Sequence, residues 1–250
     1  MSELVNEWKL LNIESKEICR NILDALLDLD IDSLSMHVCA AFFSKAIETF
    51  SAVNVLYEHG LEEPSQSLIR VLFELRINFD YFRKLAAESP EKAFARLRDS
   101  MMLEKVKQAR ASKYAGITQE MRGNLEGYEK EISDKYTEKE YRGMKSHGFS
   151  GVPIEQRAEK TGHGLAYSVV YRNFSRNIHS TDYLESYLKE GIYEMSDKEK
   201  YLESRDVVAQ SIAHTSVVGM AKFINDMFSL GFDEKLDELG RKENKIKSKR

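Results

Sequence analysis

Two side chains in this 250-residue chain stand at a spacing that could do chemistry on a phosphate. Arg172 and His179 are seven positions apart, two turns along one face of an α-helix, so both heads can reach one ligand. Arginine offers a planar fork of donors that matches phosphate oxygens. Histidine gains and loses a proton near neutral pH. Together they suit a reaction in which a proton moves while charge builds on phosphorus. Ser175 and Arg176 share that face and Asn173 follows Arg172, which makes these three the supporting contacts.

The helix that must carry them is read over residues 165–180. At 100° per residue, Tyr167, Val170, Tyr171, Phe174 and Ile178 fall within one arc and are expected to face the core. Ser168, Arg172, Ser175, Arg176 and His179 fall opposite. Solvated helix faces usually mix Glu with Lys, whereas no acid occurs between Leu165 and Ser180. On spacing alone, a functional face and a merely wet one both stay open.

A second charged pair, Arg70 and Glu74, lies one turn apart on an earlier helix, roughly opposite a seam of Leu68, Leu72, Leu75, Phe79, Phe82 and Leu85. Ile77 and Tyr81 share the side of the pair, so this helix is apolar nearly all round and reads as central. Two roles fit. The pair is an internal ion pair that fixes helix packing, or it sits beside Arg172 and His179, with Glu74 orienting Arg70 or the imidazole.

The frame around these residues is all-α. Apolar residues make up 42% of the chain and charged ones 31%, a balance that excludes wholesale disorder. Three prolines and thirteen glycines are too few for the turns of a β-sandwich or barrel. The expected fold is a bundle of long antiparallel helices. Helices are read over 2–28, onward from the Ser33 cap to 58 with Gly60 as the αL stop, over 64–88 and over 90–113. A polar insertion spans about 116–152, with a capping box at Thr137 and Glu140 and a surface loop from His147 to Pro153. The last long helix starts at Ser196. A single helical domain over 1–232 and a charged tail over 233–250 follow.

The net charge of −4 draws in no nucleic acid by itself. The stretch Arg241–Arg250 is locally basic, with six basic residues and one acid, and reads as a solvated end that could brush phosphates. Cys19 and Cys39 each lie in an apolar helical pattern and are expected reduced and buried. The opening residues do not resemble a signal peptide, and no stretch reaches the apolar length of a membrane span, so a cytoplasmic protein away from membranes is expected. Zinc, di-iron, phosphate-loop, dinucleotide-binding and serine-elbow motifs are missing, and no cofactor is expected. His37, His59 and His214 read as packing or capping residues. His147 and His163 read as solvated loop residues.

Two blocks carry a family resemblance. The first is Tyr57-Glu58-His59-Gly60 leading into the run from Ser67 to Leu75; the second runs from Tyr171 to His179. Through them the chain, over about residues 35–225, resembles a bacterial family of helical proteins labelled only as of unknown function. The Arg172-x6-His179 spacing also resembles the motif of HEPN ribonucleases, all-helical domains of toxin and phage-defence systems. That second resemblance implies a HEPN-like bundle and metal-independent RNA cleavage, with Arg172 and His179 catalytic. It also implies a homodimer that pairs two such helices, and a cognate antitoxin or defence-system partner. Against it stands a non-catalytic helical module that binds a nucleotide, an RNA or a protein through the same face. A third reading is a regulatory partner that neutralises another toxin.

Overall fold

The computed structural model describes residues 3–30, 33–111, 119–174 and 195–249, with the side chains of 119–122, 172–174 and 195–203 outside that description. The described residues form ten α-helices and one short 3-10 turn, with no strand among them. The helices are α1 (Glu3–Leu27), α2 (Leu34–Glu58), α3 (Glu62–Glu88), α4 (Pro90–Ala111) and α5 (Gln119–Lys135). They continue with α6 (Glu138–His147), α7 (Ile154–Lys160), α8 (Gly164–Phe174), α9 (Met195–Phe228) and α10 (Asp233–Lys247). The all-α bundle expected from composition is what the chain adopts. It divides into two compact units, Met1–Phe79 with Ser168–Arg250, and Asp80–Tyr167.

In the first unit α1 packs on α2, α9 and α10. It buries Val5, Trp8, Leu11, Ile18, Ile22 and Leu26 at steps of three, four and seven, the signature of an amphipathic helix. Local chemistry sets the ends of α2. Ser33 Oγ accepts from the Met36 amide at 3.1 Å. At the other end Gly60 takes a φ of +69°. That lets the Leu61 amide turn back to the Leu56 carbonyl at 2.8 Å, closing a Schellman motif. The interior of α9 is rich in small residues, among them Ala209, Ala213 and Ala221, all fully buried. At Gly219 the Arg76 guanidinium occupies the space that a side chain would need, on its way to the Ser216 carbonyl at 3.4 Å.

By length and composition, Leu34–Glu58 and Ser204–Phe228 could cross a membrane, which the sequence reading did not anticipate. About half of each apolar window is buried within the bundle, as in the central helices of a packed core.

Residues 233–250, read from sequence as a charged tail, form α10 up to Lys247. The helix folds not alone but on α1 and α9, burying Leu236, Leu239 and Ile246. Lys242 binds Glu14 of α1 at 2.6 Å and Lys249 pairs with Glu7. Asn225 fixes the preceding turn: its side chain accepts from the Phe232 amide at 2.8 Å and donates to Asp233 at 2.9 Å.

In the second unit, the part of the presumed insertion that is described is helical and packed. Ile132 of α5 and Met144 of α6 meet Leu103 of α4. Thr137 and Glu140 make the expected capping box. Glu129 accepts from Tyr141 at 2.7 Å and Lys145 at 2.9 Å and pairs with Arg110, which together hold its carboxyl down at about 2. The segment read as a surface loop turns inward instead. Phe149 is buried beside Phe82, at 6.1 Å between ring centroids, because the 3-10 turn Gly148–Ser150 tucks it under α4.

Candidate functional site

α8 starts where α7 is forced to stop. Gly162 takes a φ of +79° and the His163 amide turns back to the Ala158 carbonyl at 2.7 Å. The His163 carbonyl then accepts from Tyr167 at 2.8 Å, the first turn of the new helix. Along α8 the expected faces hold in part. Tyr167 and Val170 are buried, and Ser168, one turn before Arg172, is exposed. Tyr171 departs from its expected place: assigned to the core, it is 40% exposed. Leu165, at the start of the helix, is 84% exposed.

The backbone of Arg172 and Asn173 belongs to α8, and their side chains lie outside the described residues. Ser175, Arg176 and His179 lie outside them altogether, as does the rest of the helix read to residue 180.

The other charged pair is resolved in full. Arg70 Nε donates to Glu74 Oε1 at 3.0 Å across one turn of α3. The side chains are 22% and 34% exposed, so the pair is half-buried. Arg70 does more than balance Glu74. Its guanidinium carbon stands 4.4 Å from the centroid of the Tyr171 ring, a cation–π stack between α3 and α8. The pair is thereby joined to the residue that precedes Arg172.

The face that α3 buries differs from the seam read in the sequence. Ile69, Leu72, Phe73 and Ile77 are buried, whereas Leu68 and Leu75 are only half-buried. Phe79 and Phe82 are buried as expected. On a helix apolar on most sides, the neighbours choose the inner stripe, so spacing alone could not.

Two histidine clusters escaped the sequence reading. In the second unit His163, read as solvated, meets Asp80 with Nε2 to Oδ2 at 2.8 Å, and Arg83 donates to Oδ1 of the same carboxylate at 3.0 Å. The only local signal was Asp80-x-x-Arg83, an i,i+3 pair. In the first unit His214 is fully buried, with Nδ1 at 3.1 Å from Ser15 Oγ and its ring edge-on to Trp8, centroids 5.7 Å apart. Glu243 of α10 stands 3.8 Å from Nε2. Burial pulls this imidazole down to about 4, and the Glu243 carboxylate opposes that pull only in part. Packing was the expected role of His214, and the geometry agrees. His37, by contrast, is exposed. His59 caps α2 by bonding the Val55 carbonyl at 2.9 Å.

Tyr57 of the first block is buried, with Lys9 reaching its carbonyl at 3.0 Å. Burial and then the nearby Asp206 carboxylate push its phenol up. Cys19 and Cys39 are free and buried, and burial pushes the Cys19 thiol up, away from reactivity. Among the described residues no three metal-binding side chains gather.

The model of a family described as of unknown function (DUF5677) matches residues 36–195. Both sequence blocks fall inside that span, and α1, α10 and all but the first residue of α9 fall outside it. No curated protein and no solved structure matches the chain.

Proposed function

The chain belongs to DUF5677, a family of unknown function, and for this member we propose a metal-independent endoribonuclease of HEPN-like type, a toxin or phage-defence effector acting in the cytoplasm. One observation carries the reading: Arg70 of the first block stacks on Tyr171 of the second, 4.4 Å from its centroid. The two blocks, about a hundred residues apart in sequence, thus meet at the residue before Arg172. A cationic and aromatic surface there, on a helix that carries no acid from Gly164 to Phe174, suits a polyanion with bases.

The chemistry is an in-line transfer within the RNA. The 2′-oxygen attacks the adjacent phosphorus, the bond to the 5′-oxygen breaks, and a 2′,3′-cyclic phosphate and a 5′-hydroxyl result. His179 takes the 2′ proton, an assistance worth about 10²- to 10⁴-fold. Arg172, together with Arg176, stabilises the charge on the phosphorane-like transition state. Ser175 and Asn173 hold the remaining phosphate oxygens. One imidazole cannot accept one proton and donate another in the same step. A second copy of the chain, in a homodimer, therefore supplies the proton to the leaving 5′-oxygen. A cognate antitoxin or defence-system partner would restrain the activity.

The test is cleavage of diverse RNAs with EDTA present. Wild-type protein cuts, and His179→Ala does not. If intact protein binds RNA and leaves it whole, the module is a binder and the nuclease reading falls.

A further inference from the structure

Tyr171 has no task in that chemistry, yet its setting is unusual. A tyrosine on the apolar arc of an amphipathic helix normally buries its ring. This one is 40% exposed, and the Arg70 guanidinium lies over its ring. Arg70 is itself held, because its Nε is committed to Glu74 at 3.0 Å. The contact is therefore built as a stack: a carboxylate on α3 orients a cation, and the cation backs an aromatic ring on α8.

A partly open aromatic ring reinforced by arginine is a surface for flat π systems. Each stacked base strengthens binding by about 10- to 100-fold at such a ring, largely without regard to base identity. Bases inside an A-form duplex are already stacked and cannot reach a side chain, so only unpaired ones can use it. Tyr171 and Arg172 occupy successive positions of α8, with a rise of about 1.5 Å between them. In the sequence, a residue suited to a base is thus followed directly by one suited to a phosphate.

We propose that Tyr171, backed by Arg70 and Glu74, is a stacking platform for an unpaired nucleobase, so that the substrate is single-stranded RNA. This rests on the RNA reading of Arg172 and His179 and adds to it a substrate class and a positioning residue. Binding here is separable from catalysis.

The experiment uses the full chain and two uncleavable 2′-O-methyl probes: a short single strand carrying 2-aminopurine, and the same strand in a duplex. Stacking quenches 2-aminopurine. The single strand binds wild type with quenching, and the duplex binds far more weakly. Tyr171→Phe keeps both affinity and quenching. Tyr171→Leu weakens single-strand binding by about 10- to 100-fold, the loss of one stacked base. Arg70→Gln weakens it less, since the ring remains. Tyr171→Met replaces the leucine variant if that one melts early. If Tyr171→Leu binds the single strand as wild type does, the platform is refuted even where RNA is cleaved. If wild type binds neither probe, as it would were the face a protein-docking surface, the platform is refuted as well. If Tyr171→Leu loses single-strand binding while wild type cuts no RNA, the platform stands and the nuclease reading falls.

Discussion

Asp80 holds His163 and Arg83 at once, Oδ2 on the imidazole Nε2 at 2.8 Å and Oδ1 on the guanidinium at 3.0 Å. The carboxylate joins α3 to the turn that launches α8, and its side chain is only 11% exposed. Removing it takes one hydrogen-bonding partner from each of two groups in a half-buried place. Asp80→Ala should therefore cost about 1–3 kcal/mol, as for hydrogen bonds to charged groups. Asp80→Asn keeps the shape and should cost less. Urea titration checks both, and an alanine variant as stable as wild type would show the contact to be idle.

His214 makes the stability of the first unit depend on pH. Its folded pKa, at about 4, lies below the ordinary 6.5. The unfolded chain therefore binds the proton more tightly, and acid favours unfolding. The contribution is complete above pH 6.5 and is lost as pH falls toward 4, with a magnitude on the order of 3 kcal/mol. Melting temperature should fall across that window, and His214→Gln should flatten the fall. Trp8 is the chain's single tryptophan and touches this ring, so its fluorescence reports the same event. An unchanged slope in the glutamine variant would count against the buried imidazole as the cause.

Apolar burial, more than charge, holds α10 in place. Leu239 is fully buried, and Leu239→Ala should cost about 2–5 kcal/mol. Lys242, paired with Glu14 at 2.6 Å but about two-fifths exposed, should cost far less when changed to alanine, because solvent screens the pair. Trp8 emission should shift to the red in the leucine variant alone. Equal losses in the two variants would mean that the ion pairs matter more than their exposure allows.

The helix ends were legible because their chemistry is local. Ser33, Gly60 and the Thr137–Glu140 box act on neighbours a few residues away, and each does in the fold what its sequence context implies. The inner stripe of α3 was not legible. Leu68 and Ile69 are equally apolar, and only the packing partners put Ile69 inside. The segment after residue 232 read as solvated because its sequence is charged. It is helical because Glu7 and Glu14 on α1, more than two hundred residues earlier, meet its lysines while Leu236, Leu239 and Ile246 go under. In the candidate site, the Arg70–Glu74 pair was legible from its one-turn spacing. Its stack on Tyr171 was not, because the periodicity sent that ring to the core. Asp80 and His163 are 83 positions apart and share no motif.

The most direct measurement is the chemistry of the RNA ends left by purified protein in EDTA. The account predicts a 2′,3′-cyclic phosphate and a 5′-hydroxyl at each cut, no product from Arg172→Ala, Arg172→Lys or His179→Ala, and unchanged melting of all three variants. A 2′-deoxy sugar at the cut position should block cleavage, because the attacking oxygen is gone. Intact RNA with wild type, new 3′-hydroxyl ends, or full activity in His179→Ala would contradict it.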